Sequence, residues 1–281
     1  MQETIAVIFD FDDTLAPDST SGLLSEIGTD VPAFWRDGVQ QLLDDDWDPV
    51  PAYLVKMIEL SKSGRTAPIT KETFADWGQR LPLHTGVCEI FNRLRLHARK
   101  INPRVSVEFY LISSGIEEVL RYTPIANEFN DIWASQFSYG SDGAIENIKK
   151  VVSFTDKTRY VFQVQKGIFG NAARGKPFEV NRKLEPNALR VPLSNMIFVG
   201  DGYTDIPCFS LIRRGGGIAI GVYDSDRRDK WGRAWGFIED GRVSNLVPAD
   251  YEEKSALSNS LDMAVEAIAR KISVNANTYQ G

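Results

Sequence analysis

The 281 residues predict an α/β protein in which a parallel β-sheet is flanked by helices and a small all-helical domain is inserted into it. Three observations carry this expectation. Short, β-branched apolar runs at residues 5–9, 109–112 and 196–199 suit buried strands of a parallel sheet. Each run ends in acidic or hydroxyl side chains, at the carboxyl ends of strands where open α/β sheets place their ligand sites. Between the first two runs the apolar residues recur at helical rather than alternating spacing.

The first run, in TIAVIFDFDDTLAP, leads straight into Asp10, Asp12 and Asp13. Paired carboxylates at a strand end repel each other and lose solvation unless a cation or a shared proton offsets the cost. A divalent metal or reaction chemistry is therefore expected there, with an acidic surface turn as the plainer alternative. An EF-hand loop beginning at Asp10 would want Gly at its sixth position and Glu at its twelfth, where this chain has Leu15 and Ser21.

Residues 19–84 are expected to form the helical insertion, and residues 1–18 with 85–281 the α/β core. Val31, Phe34, Trp35, Val39 and Leu42, then Leu54, Met57 and Ile58, then Phe74, Trp77 and Leu81 mark about four helices, punctuated by Pro49, Pro51, SKSGRTAP and LPLHTG. Their aromatic-rich face reads as the bundle's own core. After Gly86 comes a core helix, VCEIFNRLRLHA, and then the strand EFYLISSG. It ends in Ser113, Ser114 and Gly115, whose hydroxyls and backbone amides could hold an anion at a helix start.

The stretch SFTDKTRYVFQVQKG reads as a helix capped by Thr155 or Asp156, with Tyr160, Val161 and Val164 on its apolar face and Lys157 in its first turn. A cation there opposes the helix dipole by about 0.3–1 kcal/mol, a cost that nearby anions would reverse. The third apolar run, in NMIFVGDGYTD, ends in Gly200, Asp201, Gly202 and Asp205, a second acidic cluster at a second strand end. GGGIAIGVY reads as a further strand after a turn, and residues 255–271 as a packing helix before ten loosely ordered residues.

A net charge of −6 argues against a nucleic-acid backbone or an anionic membrane as main partner. No charged-then-apolar leader precedes the first strand, and no run reaches the ~18 apolar residues of a membrane span, so a soluble cytoplasmic protein is expected. Cys88 and Cys208, the two cysteines, are far apart among apolar neighbours and are expected to be buried free thiols. The two histidines, His84 and His97, share one segment away from the acidic motifs, which disfavours a Ser-His-Asp hydrolase or a histidine-rich zinc site. A dinucleotide fold is disfavoured too. Gly200 and Gly202 lack the third glycine of GxGxxG, and Asp205 brings negative charge where pyrophosphate would sit.

Taken together, these motifs resemble those of the haloacid dehalogenase (HAD) superfamily of phosphatases, in its phosphoserine-phosphatase-like form. Asp10, Asp12 and Thr14 look like the first motif, Ser113 like the second, and Gly200, Asp201, Gly202 and Asp205 like the fourth. The third motif is a lone lysine near a helix start, which points to Lys157, with Lys166 as the reserve because the 167–192 stretch is longer than the family's usual connection.

The resemblance implies a Rossmann-like core and, in the helical insertion, a mobile cap that closes over the site and selects the substrate. It implies a Mg²⁺-dependent phosphatase of a small phosphorylated metabolite. The metal would be held by Asp10, Asp201 and the Asp12 carbonyl, with Asp205 orienting its water shell or Lys157. Asp10 would be the nucleophile that forms an aspartyl-phosphate, and Asp12 the general acid and base. Ser113, Lys157 and the amides near Ser114 and Gly115 would bind phosphate oxygens. Asp13 is expected to cap the turn. A phosphotransferase or mutase shares every motif, and a non-catalytic phosphate-ligand-binding protein could retain the site.

Overall fold

The computed structural model describes residues 3–225 and 236–278. Its central strand, β1 (Thr4–Phe9), explains the uninterrupted apolar run. Ile5, Val7 and Phe9 enter one buried cluster while Ala6 and Ile8 enter a second on the opposite face of the sheet. A strand covered on both faces has no polar positions to spare.

Beside it run β2 (Ser106–Ile116), β3 (Asp131–Tyr139), β4 (Ile145–Lys150), β5 (Met196–Gly200), β6 (Ile218–Tyr223) and β7 (Asn245–Pro248). The described strands form one sheet in the order β4-β3-β2-β1-β5-β6-β7. Every pairing is parallel except β3 with β4, so the expected parallel sheet carries one antiparallel edge strand. In register, Phe9 of β1 lies level with Leu111 of β2 and Val199 of β5. The three motif-bearing ends therefore emerge side by side.

The helices of the 19–84 insertion are α1 (Ser19–Glu26), α2 (Val31–Ala33), a π-helical turn (Phe34–Val39), α3 (Gln40–Asp44), α4 (Pro49–Lys62) and α5 (Lys71–Arg80). Each main start has a local cause. The Asp18 side chain accepts the Ser21 N–H at α1, Pro49 opens α4, and Thr70 and Thr73 form a reciprocal capping box at α5. These helices do not keep a separate core. Leu23, Phe34, Leu54, Met57 and Phe74 join the same apolar cluster as Phe9, Phe91 and Phe109. The insertion also grips the β3–β4 hairpin, stacking Phe74 on Phe137 at 5.8 Å and receiving the Ile145 N–H on the Ile69 carbonyl.

Core helices follow as α6 (Val87–Ile101), α7 (Glu117–Arg121), α8 (Phe154–Lys166), α9 (Ile206–Arg214) and α10 (Ala256–Thr278). On α6 the residues Val87, Ile90, Phe91, Leu94 and Ala98 are buried, but Cys88 lies on the outer face and is exposed, contrary to expectation. Cys208, on α9, is buried as expected. Helix α10 continues to Thr278, past the point where the tail was expected to loosen; residues 279–281 lie outside the described part.

Gly86 joins the insertion to α6 at φ +80, and a Cβ there would sit 2.3 Å from the Tyr251 backbone. Left-handed strain and a backbone clash act together, so Gly86→Ala is expected to lower stability by about 2–4 kcal/mol. Urea unfolding of the two proteins measures this, and a change below about 0.5 kcal/mol would contradict the packing described.

Candidate active site

At the end of β1 the Asp10 carboxylate is 5% exposed, and its Oδ1 accepts the Phe11 N–H at 2.7 Å. The chain then turns sharply, with the Phe11 carbonyl accepting from the amides of Thr14, Leu15 and Ala16. Asp13 occupies the left-handed region at φ 54, a turn position that Asp tolerates better than most residues. The buried Tyr251 hydroxyl donates to the Thr14 carbonyl and braces the turn from α10's side of the sheet.

Asp12 leaves the turn toward the insertion. Its Oδ1 accepts the Ser19 N–H at 2.7 Å, at the first residue of α1. Its Oδ2 lies against Gly115, where a Cβ would come within 2.7 Å of it. Burial first, then the nearby Asp18 charge, push the Asp12 carboxyl up to about 7, and the Ser19 hydrogen bond only partly restrains it. A group that exchanges a proton near neutrality suits an acid-base role.

The second motif sits on a break in the sheet. The β2–β3 register shifts between Ile112 and Ile116, spanning Ser113, Ser114 and Gly115. Such irregularities re-aim side chains beside functional sites. Ser113 is fully buried, and its Oγ accepts the Gly115 N–H at 3.0 Å, which leaves the hydroxyl proton to be donated elsewhere. The expected helix start is displaced: β2 runs on to Ile116, and α7 begins only at Glu117.

At the end of β5, Asp205 is fully buried and its Oδ2 accepts the Gly202 N–H at 3.1 Å. A side chain at Gly200 would meet that carboxylate at 2.5 Å, so only glycine fits. Burial and then Asp10 push the Asp205 carboxyl up to about 7, while Lys157 pulls against them. Oxygens of Asp10, Asp201 and Asp205 all lie within 4.8 Å of one another. Three hard oxygen donors at that separation fit Mg²⁺. The Asp12 carboxylate turns to Ser19 and is not in this group; the expected metal ligand of Asp12 is its backbone carbonyl.

Lys157 completes the cluster. It is fully buried, with Nζ 2.9 Å from Asp10 Oδ2 and 2.7 Å from Asp205 Oδ1. Burial pulls the ammonium's pKa down, but the two carboxylates more than reverse this and hold it protonated. Its helix starts at Phe154 with Ser153 in the cap position, two or three residues before the expected Thr155 or Asp156. Tyr160, Val161 and Val164 are buried as expected. Lys166 instead donates to the carbonyls of Val180 and Arg182, tying down the 167–192 stretch.

Some contributors were not foreseen. Tyr53 of α4 donates its hydroxyl to the Ser114 carbonyl at 2.6 Å. The Trp77 indole donates to the Ser19 carbonyl at 3.0 Å, on the residue whose amide holds Asp12. Their positions depend on how the insertion docks, which no local pattern encodes. His84 also differs from expectation. Burial lowers its pKa, yet the charges of Asp13 and Asp224 oppose this, so it lies beside the first-motif turn rather than away from it.

Comparison with known proteins agrees with this fold. The curated relatives include an uncharacterized protein of Borreliella burgdorferi, 21% identical over 92% of this chain and 95% of its own. Among solved structures, a phosphoserine phosphatase carrying a phospho-aspartyl intermediate analogue superposes with a TM-score of 0.55 at 15% identity, covering 93% of this chain and 99% of that one. A substrate-bound phosphoserine phosphatase gives 0.56 at 13% identity, over 94% and 99%. A HAD family hydrolase from Salmonella enterica serovar Typhi gives 0.55 at 14% identity over 81% of this chain, which spans only 65% of that protein. These likenesses concern the fold. The family model for haloacid dehalogenase-like hydrolases matches residues 7–210, from β1 to the middle of α9, and the chain belongs to that family.

Proposed function

We propose that this protein is a Mg²⁺-dependent phosphatase that hydrolyses a small phosphorylated molecule through an aspartyl-phosphate on Asp10. The observation that carries the reading is the convergence of Asp10, Asp201 and Asp205 within 4.8 Å, with Lys157 bonded to the first and last of them. The likeness to phosphoserine phosphatases supports it at the level of fold.

Asp10 attacks phosphorus, the bond from phosphorus to the leaving oxygen breaks, and Asp12 gives that oxygen its proton. Asp12 then takes a proton from an attacking water, and the Asp10–phosphorus bond breaks to release inorganic phosphate. Asp10, Asp201 and the Asp12 carbonyl would hold Mg²⁺, with Asp205 orienting its water shell or Lys157, and the ion would supply positive charge that offsets the repulsion between a carboxylate and a phosphate dianion. Lys157 adds a fixed cation, and the Ser113 hydroxyl donates to a non-bridging phosphate oxygen. The 19–84 helices act as the cap over this site. No described helix is long and apolar enough to cross a membrane.

Hydrolysis of p-nitrophenyl phosphate tests the reading. Turnover is expected to disappear in EDTA and to return with added Mg²⁺. Turnover that survives chelation would overturn the metal-dependent mechanism.

A further inference from the structure

We propose that Tyr53 is a positioning residue through which the docked helical insertion fixes the direction of the Ser113 hydroxyl. This rests on the phosphatase reading, in which that hydroxyl donates to a non-bridging phosphate oxygen, and specifies what aims it.

The register break between Ile112 and Ile116 takes residues 113–115 out of the β2–β3 pairing. The peptide joining Ser114 to Gly115 is therefore oriented by side chains rather than by the sheet. Its carbonyl accepts the Tyr53 hydroxyl from α4 at 2.6 Å and the Ser135 hydroxyl from β3 at 3.3 Å. In a trans peptide the N–H points the opposite way from the carbonyl. Here that N–H, on Gly115, donates to Ser113 Oγ at 3.0 Å. A hydroxyl oxygen that accepts such a bond turns its own proton elsewhere. The Tyr53 hydroxyl, the 114–115 peptide and the Ser113 hydroxyl thus form a chain in which every donor points the same way, and bonds in such a chain polarise one another.

The two holds on the Ser114 carbonyl differ in kind. Ser135 is fully buried, and its Oγ also accepts the Val152 N–H at 3.1 Å, so it belongs to the core whatever the insertion does. Tyr53 is buried within the insertion, its ring 6.0 Å from that of Trp35, and its bond to Ser114 exists only while α4 lies against the core. Burial, then the charges of Asp12 and Asp18, raise the pKa of the phenol, which keeps the proton it donates. The peptide is also wedged between the groups that matter. A Cβ on Gly115 would come 2.7 Å from Asp12 Oδ2 and 3.2 Å from Ser113 Oγ. Asp12 has its own anchor in the Ser19 N–H at 2.7 Å, so a peptide released by Tyr53 disturbs the Ser113 donor first. Docking of the insertion is thereby tied to completion of the phosphate-binding donor.

The test is a double-mutant cycle on p-nitrophenyl phosphate hydrolysis with Mg²⁺, in the native protein, Tyr53→Phe, Ser113→Ala and the two combined. Phenylalanine keeps the ring beside Trp35 and removes the hydroxyl, while Ser135 still bonds the carbonyl. Removing a preorganised donor costs on the order of 10²–10³ in kcat and weakening one costs part of that, so Tyr53→Phe is expected to lower kcat by about 5- to 30-fold with KM within about threefold of native. In the Ser113→Ala background the same change is expected to alter kcat by less than about twofold, because the relay ends on a hydroxyl that is gone. The pH profile of kcat is expected to keep its shape, since a phenol that stays protonated exchanges nothing. An equal loss in both backgrounds, an unchanged kcat in Tyr53→Phe, or a displaced pH profile overturns the proposal and leaves the phosphatase reading standing. Absence of turnover in the native protein removes the phosphatase reading and this proposal with it. Tyr53→Met, which also lacks the hydroxyl, takes its place in the cycle if Tyr53→Phe does not fold.

Discussion

Asp10→Asn is expected to reduce kcat for p-nitrophenyl phosphate by about 10⁴-fold or more, with the fold intact. The amide is the same size as the carboxylate and can still accept the Phe11 N–H through its oxygen. It cannot attack phosphorus to form an acyl phosphate, and it withdraws one negative charge from the metal-binding group. Lys157 is not stranded, because Asp205 remains 2.7 Å away. Stability should therefore change by no more than about 1–2 kcal/mol. Turnover and urea unfolding measured on the same preparation separate the two effects. More than about 1% of native activity in a metal-loaded sample would remove Asp10 from the nucleophile's role.

Lys157→Met should damage stability and catalysis together. The methionine fills a similar volume but leaves Asp10 and Asp205 as neighbouring buried carboxylates with no cation between them. Losing one partner of a buried ion pair costs about 3–5 kcal/mol, and losing a preorganised charge at a phosphoryl site costs on the order of 10²–10³ in kcat. Added Mg²⁺ should raise the melting temperature of the variant more than that of the native protein, since a cation binding only the folded state offsets the repulsion. Lys166→Met provides the contrast. It severs only bonds to the Val180 and Arg182 carbonyls, so activity should be unchanged and the loss of stability below about 1.5 kcal/mol. If the kinetic effects fell the other way round, Lys166 would be the family's lysine.

The acidic and hydroxyl ends of β1, β2 and β5 were legible because a strand buried on both faces writes itself as an unbroken apolar run, and the polar residues after it mark where the sheet stops. Lys157 was singled out through the family resemblance, which puts a lysine near a helix start; the helix dipole adds only that a cation there is unfavourable without nearby anions. What stayed hidden was tertiary. Trp35 read as a member of an apolar helical face and Tyr53 was not singled out, and nothing local shows that Tyr53 reaches Ser114 or that Trp35 reaches Ser21. Cys88 was misjudged because its neighbours in sequence are apolar, whereas on a helix the next residue is turned by about 100° and faces away. His84 was misjudged because the chain returns to the Leu15 carbonyl just there, bringing it to Asp13 from far along the sequence. The β3–β4 hairpin went unread although Asp142 and Gly143 at its tip are turn residues between strands.

The level alignment of Phe9, Leu111 and Val199 turns the backbone ladder into a ruler for the chemistry. One step along a strand is about 3.3 Å, several times the ~0.5 Å tolerance of a working constellation, and it also reverses which face a side chain meets. A single inserted residue within β1 would therefore misplace Asp10 completely. The 19–84 and 167–192 stretches leave and rejoin the core outside that ladder, so their lengths can drift without moving Asp10 relative to Asp201. Those stretches can be rewritten while the three strand ends keep their count.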